Sequence, residues 1–149
     1  MKKSFFCITL IILALSSCIS ESDLKPILPM QIIHSNSAKV WVAESILTNG
    51  EETAKQTNEF KKTFIFYEDG EFIEQELNHL ASFRGKKGKY ILTLNDSHQD
   101  TLFKLYYNDK SSLYFHVKEC DSDLLKLHEL DVEKNSVNSI WTLRTLSKL

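Results

Sequence analysis

The chain has 149 residues, 42% of them apolar, with four Gly and two Pro. That is one domain's worth of protein with enough apolar material for a core, and it excludes collagen-like, low-complexity and wholly disordered classes. Eighteen Lys and Arg stand against twenty Asp and Glu, a net charge of −2, which lacks the basic excess that binds nucleic acid by displacing counterions.

Lys2 and Lys3 open the chain, and Phe5 to Leu15 then run without a charge. Eleven helical residues reach about 16 Å, roughly half of a hydrocarbon core, so the run has the length of a signal-peptide apolar region and not of a spanning anchor. It ends in Leu15-Ser16-Ser17-Cys18, which resembles the lipobox of bacterial lipoprotein signal peptides. The resemblance implies a leader over 1–17, cleavage before Cys18, and acyl chains on that cysteine that anchor the protein to a membrane; two or more chains hold stably. Ile19 and Ser20 follow Cys18 with no adjacent Asp, which by the enterobacterial rule implies the outer membrane. Glu21 and Asp23 partly resemble the acidic surface-export signal of Bacteroidetes lipoproteins, and the periplasmic face and the cell surface both stay open. Cleavage removes two lysines and no acid, taking the net charge from −2 to −4. Cys7 leaves with the leader and Cys18 becomes the anchor, so Cys120 stands alone with no disulfide partner; it is expected to be an unreactive strand-end residue.

Residues 18–37 contain both prolines, Pro26 and Pro29, and end in His34-Ser35-Asn36-Ser37. They read as a tether, although Ile27, Leu28, Met30, Ile32 and Ile33 are apolar enough for part of it to dock. The folded domain is expected over 38–149. Strands are expected at 39–47, 61–68, 70–77, 89–94, 101–107, 112–119, 123–130 and 138–146, each bounded by turn chemistry. Asn49-Gly50 closes the first, residues 51–60 make a helix or loop, and Asp69-Gly70 gives the clearest hairpin. Arg84 to Gly88 reads as a turn exposing Lys86 and Lys87. Phe64 and Phe66 alternate against Thr63 and Ile65, and Leu113, Phe115 and Val117 against Tyr114, His116 and Lys118. This alternation predicts an all-β antiparallel fold with a single core, a barrel or a sandwich, and eight strands suffice to close.

The pattern resembles the lipocalin-like lipoproteins of Bacteroidetes over residues 39–149. The resemblance is carried by Lys39-Val40-Trp41, the hairpin Phe64-Ile65-Phe66-Tyr67-Glu68-Asp69-Gly70-Glu71-Phe72, the opening Gly88-Lys89-Tyr90 and the late Leu124-Leu125-Lys126-Leu127. It implies an eight-stranded up-and-down barrel whose interior sometimes holds a small apolar molecule. Lipocalins proper show Gly-x-Trp at the first strand, and Ser37-Ala38-Lys39-Val40-Trp41 has no such glycine. Their late arginine packs over that tryptophan, which here implies a cation–π contact between Arg144 and Trp41 at barrel closure.

Residues expected to point inward are Trp41, Phe64, Phe66, Phe72, Phe103, Phe115 and Trp141, with Phe83, Tyr90 and Tyr107 as further large side chains. Together they are enough to fill a barrel of this size, with a small pocket at one mouth as the alternative. No catalytic constellation emerges: there is no Gly-x-Ser-x-Gly elbow and no His-Glu-x-x-His. His34, His79, His98, His116 and His128 show no metal-ligand spacing, although His116 and His128 can meet across a ladder. His116 sits on the polar face of its strand, which predicts exposure, and Glu74 and Glu76 read as a solvated face. No cofactor is expected. The function expected is non-catalytic binding of a small apolar molecule or an envelope protein. The alternative is an accessory, immunity or inhibitor lipoprotein that uses its loops around a filled barrel, with 51–60 and 78–88 (Leu80, Phe83) as candidate surfaces.

Overall fold

The computed structural model describes residues 29–52, 61–94 and 101–149. The leader, Cys18 and most of the 51–60 connection lie outside the described residues. A short helix α1 (Pro29–His34) leads into β1 (Ala38–Thr48), β2 (Glu51–Glu52), β3 (Lys62–Tyr67), β4 (Glu71–Glu76), β5 (Lys86–Leu94), β6 (Thr101–Tyr107), β7 (Ser112–Cys120), β8 (Leu124–Asp131) and β9 (Ser136–Thr145). Every neighbouring pair is antiparallel, in the order β2-β1-β3-β4-β5-β6-β7-β8-β9, and β1 also pairs with β9. Eight long strands therefore close into an up-and-down barrel, in which the first and last long strands pair with each other.

Closure depends on β1 serving two neighbours. Its first half, Ala38 to Val42, pairs with β3, and Trp41 to Thr48 pairs with β9 through a bulge between Ala43 and Ser45. Where β3 leaves, β2 folds back onto Leu47 and Thr48. The turn that allows this places both Asn49 and Gly50 in the left-handed region, at φ 53° and 83°, as tight hairpins require.

The eight expected strands are present with bounds shifted by up to three residues. The largest shift is at β5, which begins at Lys86, so Gly88 is a strand residue and not a turn residue. A Cβ at Gly88 would lie 2.1 Å from the Tyr106 carbonyl oxygen and 2.7 Å from the Phe72 ring. Glycine is there so that the ring and the neighbouring strand can approach, a packing reason that its Gly-Lys-Lys-Gly setting disguises. A 3-10 segment, Leu77–Ser82, and not a simple turn, connects β4 to β5.

The inward faces of the strands form one core of Trp41, Phe64, Phe66, Phe72, Tyr90, Phe103, Phe115 and Trp141 with Leu105, Leu125, Leu127 and Leu143. The outer face is not uniformly solvated: Val42, Thr63, Ile65 and Ile73 on β1, β3 and β4 are buried too. Among the described residues every core member lies between Met30 and Leu143, and every barrel-closing pair lies between Ala38 and Thr145. The polypeptide from Ile19 onward thus contains every core member among the described residues.

Candidate functional site

Three places in the barrel have the makings of a site: the interior, its two ends, and a groove on its outside. The interior is occupied by its own rings. Phe64 and Phe66 stack with centroids 5.7 Å apart and planes 2° from parallel. Phe66 also meets Tyr90 and Phe103 edge-on at 5.0 and 5.4 Å, and Phe115 meets Trp141 edge-on at 5.4 Å. These offset and T-shaped arrangements are the favourable ones for aromatic quadrupoles. All seven residues expected inside are buried in this core, whereas Phe83 is 57% exposed at the rim in a left-handed conformation.

One end is closed by α1. Pro29 stands at the first helical position, where its missing N–H costs nothing. Met30 and Ile32 pack on the core, and Ile33 is 0% exposed. A helix leaves its last carbonyls without intrahelical partners, and β1 supplies them: Trp41 Nε1 donates to the Ile33 carbonyl at 2.8 Å, and Lys39 Nζ donates to that of Ile32 at 2.9 Å. Lys39 Nζ also reaches the Ser122 carbonyl at 2.6 Å, tying in the β7–β8 turn. The last part of the expected tether is therefore a docked plug, and its apolar residues explain why.

The cation over Trp41 is Lys39, 4.3 Å from the ring centroid. Arg144 does not make the expected closure contact, because it points outward and its Nε binds Glu44 Oε2 at 3.1 Å. Trp41 faces the interior, while Arg144 shares the outward phase of Ile140 and Thr142, so the wall of the barrel separates them. Burial lowers the Lys39 pKa against the opposing charges of Cys120 and Asp123. Cys120 packs beneath the plug, and burial pushes its thiol up to about 11, with Lys39 opposing the shift and Asp121 adding to it.

The opposite end carries an inward polar layer that sequence reasoning missed. Glu74, expected on a solvated face, is an inward residue in phase with Phe72. It takes an ion pair from Lys62 Nζ at 2.9 Å and a hydrogen bond from the Tyr107 hydroxyl. Lys62 Nζ lies 4.9 Å from the Trp141 ring centroid. Trp141 Nε1 donates to Glu129 Oε2 at 3.0 Å and to Ser139 Oγ at 2.6 Å, and the Ser139 hydroxyl donates to Glu129. Burial first, then the neighbouring Glu74 carboxylate, raises the Tyr107 pKa far above its usual value, so its phenol remains a donor. These groups satisfy one another and close the ring stack. The signal was available as phase: Lys62, Glu74 and Glu129 each lie two residues from an inward apolar side chain.

The third place is outside. Between Glu129 and Leu130 the β8–β9 register shifts at a bulge, and bulges bend a strand pair. Past it, Leu130, Val132 and Val137 stand beside Leu102 and Lys104 of β6 and Tyr114 and His116 of β7, around a groove of about 520 Å³. Asp131 is committed to the hairpin turn: its carboxylate accepts the Glu133 and Lys134 amides, both at 3.1 Å, and pairs with Lys134 Nζ at 3.0 Å. Lys104 Nζ lies 5.9 Å from the Tyr114 ring centroid. His116 stands directly opposite His128, and it is half-buried, its Nδ1 enclosed without a hydrogen-bond partner. Burial, then the charges of Lys118 and His116, lowers the His128 pKa. Among the described residues no three His, Cys, Asp or Glu side chains gather into a metal-holding group.

No protein-family model matches the chain, and no curated protein and no solved structure matches it. The class defined by the fold is a closed, eight-stranded antiparallel barrel.

Proposed function

We propose that the protein is a lipid-anchored envelope protein, lipocalin-like in build, whose barrel is a non-catalytic scaffold that binds on its outer surface. The observation that carries this reading is the interior, filled by mutually contacting rings, with a plug at one end and a self-satisfied polar layer at the other. A small apolar guest inside would have to displace residues such as Phe66, which touches four other rings. Grooves lined by described residues lie on the outside instead.

The leader reading adds an orientation. Ten residues lie between Cys18 and Pro29, and the eleven Cα steps reach at most about 36–40 Å; they attach at the plugged end. An acylated Cys18 would then turn that end to the bilayer and present the rim with the β8–β9 hairpin away from it.

Two measurements test this. Cys18→Ser expressed in a bacterium should shift the protein from the membrane to the soluble envelope fraction, and a variant still in the membrane fraction would remove the anchor. Native mass spectrometry of residues 19–149 from the natural host should give the bare chain mass. A reproducible extra mass lost on unfolding would replace surface binding by an interior ligand.

A further inference from the structure

We propose that the groove beneath the β8–β9 hairpin binds a small amphipathic monocarboxylate, with its chain along Leu102, Leu130 and Val137 and its carboxylate at Lys104. The inference rests on the reading that this barrel binds at its outer surface, and it names the ligand chemistry.

The groove holds about 520 Å³, within the range of small-molecule sites, and it sets an apolar wall beside polar side chains that include Asn135 and Ser136 as well as Lys104, His116 and Asp131. Val132 and Val137 are 66% and 48% exposed, so apolar surface stands open beside it. Lys104 is the charged group in the groove that no ion pair takes up. Among the described residues no carboxylate lies within ion-pair range of Lys104. Asp131, the acid in the groove, is held by Lys134 and two backbone amides and does not neutralise it. His116 Nδ1 is enclosed without a partner on the same wall.

One unpaired ammonium matches one negative charge. A phosphomonoester dianion would leave charge uncompensated against apolar walls, which is costly. A metal ion at the His116–His128 pair would sit near the ammonium of Lys118, and among the described residues no carboxylate joins the two imidazoles to offset it. A carboxylate head with an aliphatic body meets both requirements, the charge-assisted pair at one end and apolar burial along the other.

The test uses decanoate and decanol titrated into residues 19–149, followed by backbone amide spectra. Decanoate should shift Leu102, Tyr114, Leu130 and Val137 saturably. Lys104→Met, which keeps the aliphatic stem, should weaken decanoate roughly tenfold and leave decanol unchanged. Val132→Asp, on an exposed tip where the fold tolerates it, should weaken both. Equal decanoate affinity in wild type and Lys104→Met, or no saturation at the groove, overturns the proposal. Shifts centred on Phe66, Phe103 and Trp141 would overturn it together with the surface-binding reading. No binding anywhere removes the groove ligand alone and leaves the scaffold reading to its native-mass test.

Discussion

Truncating Phe66 to alanine measures whether the barrel is full. Its side chain is 1% exposed and is enclosed by Phe64, Phe72, Tyr90 and Phe103, with ring centroids 5.0–6.0 Å away. Losing a fully buried ring forfeits about 1.5–3 kcal/mol of transfer free energy. The void adds about 24 cal/mol per Å³ that does not collapse, so a residual void of roughly 80 Å³ costs about 2 kcal/mol more. Collapse is resisted here, because Phe66 sits on a strand held by ladders to β1 and β4. The expected loss is about 4–5 kcal/mol, at the upper end of the range for such truncations, and large against a total of about 5–15 kcal/mol. Urea unfolding followed by tryptophan fluorescence reads it, with Phe66→Leu as a milder companion that stays folded if alanine does not. The dry apolar void should also bind benzene, and benzene should then raise the midpoint of the variant and not that of wild type. A loss below about 1 kcal/mol, with no benzene effect, would mean that the interior already has slack around this ring, and the filled-barrel argument fails.

The plug and the thiol beneath it give two further expectations. Trp41→Phe removes the donor to the Ile33 carbonyl and should cost about 1–3 kcal/mol, with faster amide exchange in α1; unchanged stability and exchange would show that the plug is held by apolar contact alone. The Cys120 thiol lies at about 11 against an ordinary 9.0, so the folded state favours the protonated form. That contribution is fully present below pH 9 and is lost as pH rises from 9 to 11. The thermal midpoint of wild type should therefore fall faster than that of Cys120→Ala across this window, and thiol labelling at pH 8 should run about a hundredfold slower than for a free cysteine. Parallel midpoint curves, or labelling at the free rate, would contradict the burial.

Strand positions and the inward aromatic set were readable because turn chemistry and period-two alternation act locally. Asn49-Gly50 and Asp69-Gly70 place hairpins, and Phe64 and Phe66 declare an inward face without reference to the rest of the chain. What escaped depends on partners distant in sequence. Gly88 owes its place to Phe72 and to the Tyr106 carbonyl on the next strand. Glu74 is inward because Lys62 and Tyr107 meet it there, and a charged residue in phase with a core face reads as solvated until those partners are known. The α1 plug was ambiguous because a proline-bearing apolar stretch suits an extended tether as well as a single docked turn. The groove was invisible because it hinges on a one-residue register shift beside Leu130.

The placement of the cations follows from the same geometry. In a closed barrel each strand residue belongs to the inside or the outside, and a contact between the two is possible only at the ends. Arg144 is outward on β9 and therefore turns to Glu44 on the outer face of β1. Lys39 lies at the start of β1, where the wall stops, so its long side chain crosses the rim to lie over Trp41 and bond the end of α1. Lys62 does the equivalent at the other rim, over Trp141. Each tryptophan thus has its ring in the core, its indole N–H bonded at a barrel end and a lysine above it. The two ends are built alike, and both leave the ring stack sealed. Lys104, midway along β6 and outward, has no rim to cross and, among the described residues, no acid within ion-pair range, which leaves its ammonium open to a carboxylate brought to the groove.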